Sequence, residues 1–177
     1  ADRWQKHTEL EFLLWASQKR SCDATGVNDF YGLQQLAYIS WLISGDAFAV
    51  LKQAPVNTMS PYGLRLLVLE ADRVSTPSNA GYVGPYYSTL GTTGTADNGN
   101  TIYDGVEIDG NGTIVAYHIR NLEQYGHTWQ RVEAYGTESG LPNILQMMES
   151  ERPEQYRGVT YLAQIIEPLL QTRRYTE

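Results

Sequence analysis

Val106-Glu107-Ile108-Asp109-Gly110-Asn111-Gly112-Thr113-Ile114-Val115-Ala116-Tyr117-His118-Ile119 is the stretch whose reading decides the fold. Val106 and Ile108 alternate with Glu107 and Asp109; Ile114, Ala116 and His118 alternate with Val115, Tyr117 and Ile119. A period of two belongs to a strand, and Asp-Gly and Asn-Gly tolerate the positive φ of a tight turn. Residues 102–119 therefore form an antiparallel hairpin. Asp104, Glu107 and Asp109 are expected on its solvated face and in its turn. They could also be imagined as paired acids, but Asp104 to Asp109 lacks the register of a calcium loop.

Working outward, two further strands are expected at 127–134 and 143–148, with Pro142 at the mouth of the second. On the other side, residues 76–101 are rich in Gly, Ser, Thr, Asn and Pro and contain Tyr82, Tyr86 and Tyr87. No period is visible there, so a long flexible surface loop is expected. Leu64 to Leu69 and Ala47 to Leu51 read as strands, the former hydrophobic enough to be buried on both faces. Asp29 offers an N-cap and Gly45 a C-cap for a helix over 29–44 with an apolar stripe of Leu33, Leu36, Ala37, Ser40 and Trp41. Residues 2–19 form a first helix, capped by Asp2, with an apolar face of Trp4, Leu10, Phe12, Leu13, Leu14 and Trp15. At the far end, Leu162, Ile165, Ile166, Leu169 and Leu170 fall at helical spacing over 160–175, where Pro168 should kink or divide the helix. N-terminal helices, a mainly antiparallel sheet with a β-hairpin and a C-terminal helix make an α+β chain, expected as a single domain over 1–177.

The 177 residues are 42% hydrophobic and 19% charged, enough apolar material for a core. A net charge of -7 argues against a domain that grips phosphate backbones, though not against a wall that DNA slides past. The single cysteine, Cys22, has no partner for an internal disulfide. No run approaches the roughly 18 apolar residues of a membrane span. His7, His118 and His127 lie far apart, so no metal site is expected, and His118 reads as a satisfied sheet residue. Ser139, His127 and Asp109 could be drawn as a triad, but no nucleophile elbow surrounds Ser139. Gly91-Thr92-Thr93-Gly94-Thr95 lacks the following lysine of a phosphate loop. No catalytic residue and no cofactor follow from the sequence.

The most specific segment is Arg152-Pro153-Glu154-Gln155-Tyr156-Arg157-Gly158-Val159. It resembles the Arg-Pro-x-Gln-x-Arg-Gly-Val segment of lambda-family tailed-phage portal proteins, where it links a strand to the helix leading toward the stem. Further matches follow in family order. They are Cys22-Asp23, Asp29 to Gln34, Ser40-Trp41-Leu42, Gly45 to Phe48, Leu69 to Val74, and the hairpin. The sequence departs from the family after Val159: Thr160-Tyr161-Leu162-Ala163-Gln164 stands where Pro-Trp-Leu-Ala-Pro is usual.

The resemblance implies a structural subunit of a homo-oligomeric ring at the capsid vertex, serving virion assembly and DNA packaging and ejection, and not an enzyme. Its partners would be other portal subunits, terminase, capsid and head–tail connector proteins. Double-stranded DNA would pass through the ring with no contact assigned to these residues. The location would be the virion, and the bacterial host cytoplasm during assembly. Both ends of the sequence read as cut, so a wing fragment of a longer chain is expected. Arg152, Pro153, Gln155, Arg157 and Gly158 are the candidate inter-subunit or structural residues. The planar guanidinium groups suit carboxylates, either of a neighbouring subunit or within their own domain. Two competing readings are a small hydrolase using Asp104, Glu107 and Asp109, and a stand-alone binding module using the tyrosine-bearing loop.

Overall fold

The computed structural model describes residues 2–58, 60–78, 80–82, 93–121 and 128–176. Helices α1 (Asp2–Ser17), α2 (Lys19–Cys22) and α3 (Phe30–Ser44) come first. Strands β1 (Asp46–Gln53) and β2 (Leu64–Leu69) follow, then β3 (Gly81–Tyr82), β4 (Thr93–Thr95), β5 (Thr101–Tyr103), β6 (Val106–Ile108), β7 (Ile114–Arg120), β8 (Trp129–Glu133) and β9 (Ile144–Met148). Helix α4 (Ala163–Thr176) comes last. The arrangement is α+β, but the strands form two antiparallel sheets instead of one. Their orders are β2-β1-β9 and β3-β4-β5-β6-β7-β8.

Helix α3 keeps the ends read from sequence. The Asp29 side chain accepts from Gly32 N at 2.8 Å, and Gly45 closes the helix at φ 91°. The hairpin also holds, as β6 and β7. A second hairpin precedes it: Asp104 and Gly105 both have positive φ, 46° and 87°, and turn β5 into β6. Two such residues in sequence are the signature of a type I′ turn.

The main core lies between the sheets. Phe48, Val50, Leu69 and Ile144 from the smaller sheet meet Val106, Ile108, Tyr117 and Ile119 from the larger. A second cluster joins Trp15, Ala16, Cys22 and Leu33 beneath the helices, with Leu66 and Val68 of β2 packed against it.

Several expectations are corrected. The first helix breaks at Gln18, and only Trp15 and Ala16 of α1 are buried; Trp4 is 74% exposed, and Leu10, Leu13 and Leu14 also face solvent. Period 3.6 turns Leu10 and Leu13 about 140–160° away from Trp15 and Leu14 about 100°, so they cannot share its buried face. Within α3, Leu33 and Ala37 are buried, whereas Leu36 is exposed. β2 is mostly half-buried. Strands β3, β4 and the start of β5 fall within the segment 76–101, which was expected to carry no strand. Residues 83–92, with Tyr86 and Tyr87, lie outside the described residues, as do His127 and the side chain of Tyr82. Pro168 does not divide α4, which runs through it.

Candidate functional site

Arg157 is the hub of the segment singled out by sequence. Its guanidinium lies between the two sheets and is 14% exposed. Nε donates to Asp46 Oδ2 at 2.6 Å and Nη2 to Asp46 Oδ1 at 3.3 Å. Nη1 donates to the carbonyls of Val74 and Asp104 and to Asp104 Oδ2 at 3.0 Å, and Nη2 also to the carbonyl of Ala71. The cation sits 5.3 Å from the Phe48 ring centre. Asp46 opens β1 and is buried; Asp104 opens the β5–β6 turn. One side chain thereby ties the first strand, the segment after β2 and the larger sheet together.

Burial pushes the Asp104 carboxyl up, and Arg157 only partly offsets this. Asp46 takes one more donor, Gly158 N at 3.1 Å. The backbones touch here: a Cβ on Gly158 would fall 1.8 Å from the Gly45 carbonyl oxygen. Glycine is required at Gly158 by that approach.

The other candidates shape the approach. Gln155 Oε1 accepts from the backbone N–H of Glu151 and Arg152, while its Nε2 donates to the Arg157 carbonyl. Tyr156, between them, stacks on Tyr103 with centroids 5.5 Å apart and donates to the Gly112 carbonyl. Arg152 and Pro153 are exposed, make no contact with the Arg157 guanidinium, and line one pocket with Asp104, Arg157 and Gly158.

A family model described as phage portal protein, lambda family, matches residues 1–177. The chain belongs to the lambda family of phage portal proteins. No curated protein matches it. Portal proteins of this family are structural subunits associated with the capsid. Among the described residues no helix is long and apolar enough to cross a membrane, and no three His, Cys, Asp or Glu side chains converge as a metal site requires.

A second charged cluster of this portal protein escaped the sequence reading. Glu107, expected on a solvated face, is fully buried. Arg131 Nε and Nη2 donate to its carboxylate at 2.7 and 3.0 Å, Asn98 and Asn100 Nδ2 each at 2.8 Å, and His118 Nε2 lies 3.0 Å away. Burial alone would raise this carboxyl, but the donors outweigh it and hold it at about 2. Burial lowers His118, and Glu107 opposes this without overcoming it. The turn between β4 and β5 carries both asparagines and roofs the hairpin face that alternation had assigned to solvent.

The available signal was Asn98 and Asn100 within a polar segment, together with an in-register His118–Arg131 pair across β7 and β8. Asp109 instead caps its own turn, accepting from the N–H of Asn111 and Thr113. Asp104, Glu107 and Asp109 thus serve three separate places and do not converge on one cleft.

Proposed function

We propose that these residues build the wing of a portal ring at the capsid vertex, as a single domain, serving virion assembly and the packaging and ejection of DNA. The ring's partners are other portal subunits, terminase, capsid and head–tail connector proteins. DNA passes through the ring without direct contact from the wing. Arg157, Gly158 and Gln155 are structural fasteners of the wing, and Arg152 and Pro153 stand where a neighbouring subunit can meet them.

One observation carries this reading: α1, α3 and α4 expose apolar side chains such as Trp4, Leu13, Tyr38, Ile43, Ile166 and Leu169. Isolated exposed apolar residues are ordinary, but rows of them on three helices suit a subunit designed to be covered. Of the three acids of the hydrolase reading, Asp104 meets Arg157, Glu107 meets Arg131 and Asp109 caps its own turn, so no two of them stand as a pair.

Negative-stain microscopy and mass photometry of the full chain test the proposal. Closed rings are expected. Persistent monomers at every concentration would refute it.

A further inference from the structure

Helix α3 carries no charged residue from Phe30 to Ser44, alone among the described helices. It covers β1, with β2 on one side and β9 on the other. Leu36, Ile39 and Ile43 stand at spacings of three and four along its β2 flank, and are 45%, 44% and 54% exposed. With Val68 and Ala71 they line an apolar groove, rimmed by Glu70 and Asp72. Gln34 and Gln35 give the helix a short polar face, while its β2 flank stays apolar and uncharged along this row.

Helix α4 is the converse. All its described side chains are exposed. Ile165, Ile166, Leu169 and Leu170 form one stripe, and Arg173 and Arg174 occupy its last turn. Most of a helix's stability in a folded protein comes from covering its apolar face, and this stripe is uncovered among the described residues.

Within one copy the two features lie on opposite flanks. The root of α4 is held on the β9 side: Tyr161 packs on Trp41 at 5.1 Å between centroids and donates to Glu149, just after β9. The empty groove is on the β2 side. Two different faces on opposite sides of one subunit are what a head-to-tail contact requires.

We infer that α4 of one copy lies in the α3–β2 groove of the next. The inference rests on the ring reading above and names its faces. Apolar stripe meets apolar floor, and Arg174 of α4 meets Glu70 on the rim, where Asp72 already pairs with Arg120. For a chain of net charge -7, copies repel one another at most orientations. An uncharged helix receiving a basic-ended one is where that repulsion is least.

The test places two cysteines in the full chain, Ile43→Cys and Leu169→Cys, and oxidises it under native conditions. Native Cys22 is fully buried and serves as a silent background. A ladder of covalent multimers is expected from the double variant, and none from either single variant. A cross-linked monomer would mean that α4 folds onto its own groove, and would overturn the inference. So would dimers from Ile43→Cys alone, or the absence of any cross-link in a chain that still forms rings. A second variant, Ile39→Glu with Ile43→Glu, should abolish oligomers while the monomer keeps the far-ultraviolet circular dichroism of the unmodified chain; intact rings would overturn the inference. If the unmodified chain forms no oligomer at all, the ring reading itself fails.

Discussion

Replacing Arg157 with methionine keeps an apolar stem against Phe48 and removes the charge that Asp46 was buried to meet. Asp46 is 1% exposed and would retain only the N–H of Gly158. Breaking a buried ion pair by removing one partner costs about 3–5 kcal/mol, because the survivor is left charged and dry. The carbonyls of Ala71, Val74 and Asp104 also lose their donor. The site is not wholly sealed, so water recovers much of that second loss, and about 1 kcal/mol remains for the three together. The expected destabilisation is therefore about 4–6 kcal/mol, against a total of about 5–15 kcal/mol for a typical domain.

The charge argument has its own check. Adding Asp46→Asn to the methionine variant removes the stranded carboxylate, and should restore about 1–2 kcal/mol. Arg157→Lys should recover little, since an ammonium cannot span two carboxylates and three carbonyls from one plane. Urea unfolding followed by tryptophan fluorescence and far-ultraviolet circular dichroism measures all four chains, provided the m-values agree. A loss below about 1 kcal/mol for Arg157→Met would refute the hub as a determinant of stability. A further loss on adding Asp46→Asn would refute the stranded-charge account.

Glu107→Gln should destabilise the chain by about 2–4 kcal/mol, because it strips the counter-charge from Arg131 and leaves donors facing donors; urea midpoints decide it. The Glu107 carboxyl is held below its ordinary 4.5, so the unfolded chain binds the extra proton; its stabilisation is complete above about 4.5 and is lost as pH falls through about 2, which acid titration of ellipticity reads. The sign is the same for His118, whose proton affinity drops below the ordinary 6.5 on folding: stability should decline as pH falls from 6.5, and His118→Gln should flatten that part of the curve. Gly158→Ala forces a methyl into the Gly45 carbonyl and should lower the melting temperature by roughly 6–12 °C, equivalent to about 3 kcal/mol, in scanning calorimetry.

The local signals in this sequence were reliable where one residue decides the outcome. Asp29 and Gly45 fixed both ends of α3, and Asp109-Gly110-Asn111-Gly112 fixed the β6–β7 hairpin. Failure came where a distant segment supplies the environment. Alternation placed Glu107 on the far face of the hairpin from the core, which is correct; what alternation cannot show is that Asn98 and Asn100 fold over that face and dry it. Likewise period 3.6 shows that α1 and α4 carry an apolar stripe but not what covers it, and both stripes are largely exposed. Arg157 was visible as a candidate through its motif, but its partners, Asp46 and Asp104, lie far away in sequence and carry no local mark. Pro168, expected to kink or divide the last helix, stands at the sixth position of α4, where it removes the N–H that would reach the Gln164 carbonyl, and the helix runs on past it.

The position of the hub has a mechanical consequence. Asp46 begins β1, the middle strand of the smaller sheet, and follows directly on Gly45, the cap of α3. Gly158 rests on that same cap, and Thr160 donates to the Leu42 carbonyl in the last turn of α3. The backbone entering α4 is thus fastened to α3 and β1 at three adjacent points, with little freedom between the last fastening and the first helical residue, Ala163. A force along α4 is delivered to β1, whose register is held from both sides by β2 and β9, and through Arg157 to the β5–β6 turn of the larger sheet. Cutting only the Thr160 bond, by Thr160→Val, leaves Arg157 and Gly158 in place and should change stability by less than about 1 kcal/mol. Cutting at Arg157 releases the root of α4 from the β5–β6 turn and from the guanidinium's hold on Asp46, and leaves only Gly158 on Asp46 and Thr160 on Leu42. If the fastening sets the direction of α4, Arg157→Met should disrupt rings at temperatures where its subunits are still folded, whereas Thr160→Val should not. Rings that survive in Arg157→Met until the subunit itself unfolds would show that α4 is oriented by its neighbours and not by its root.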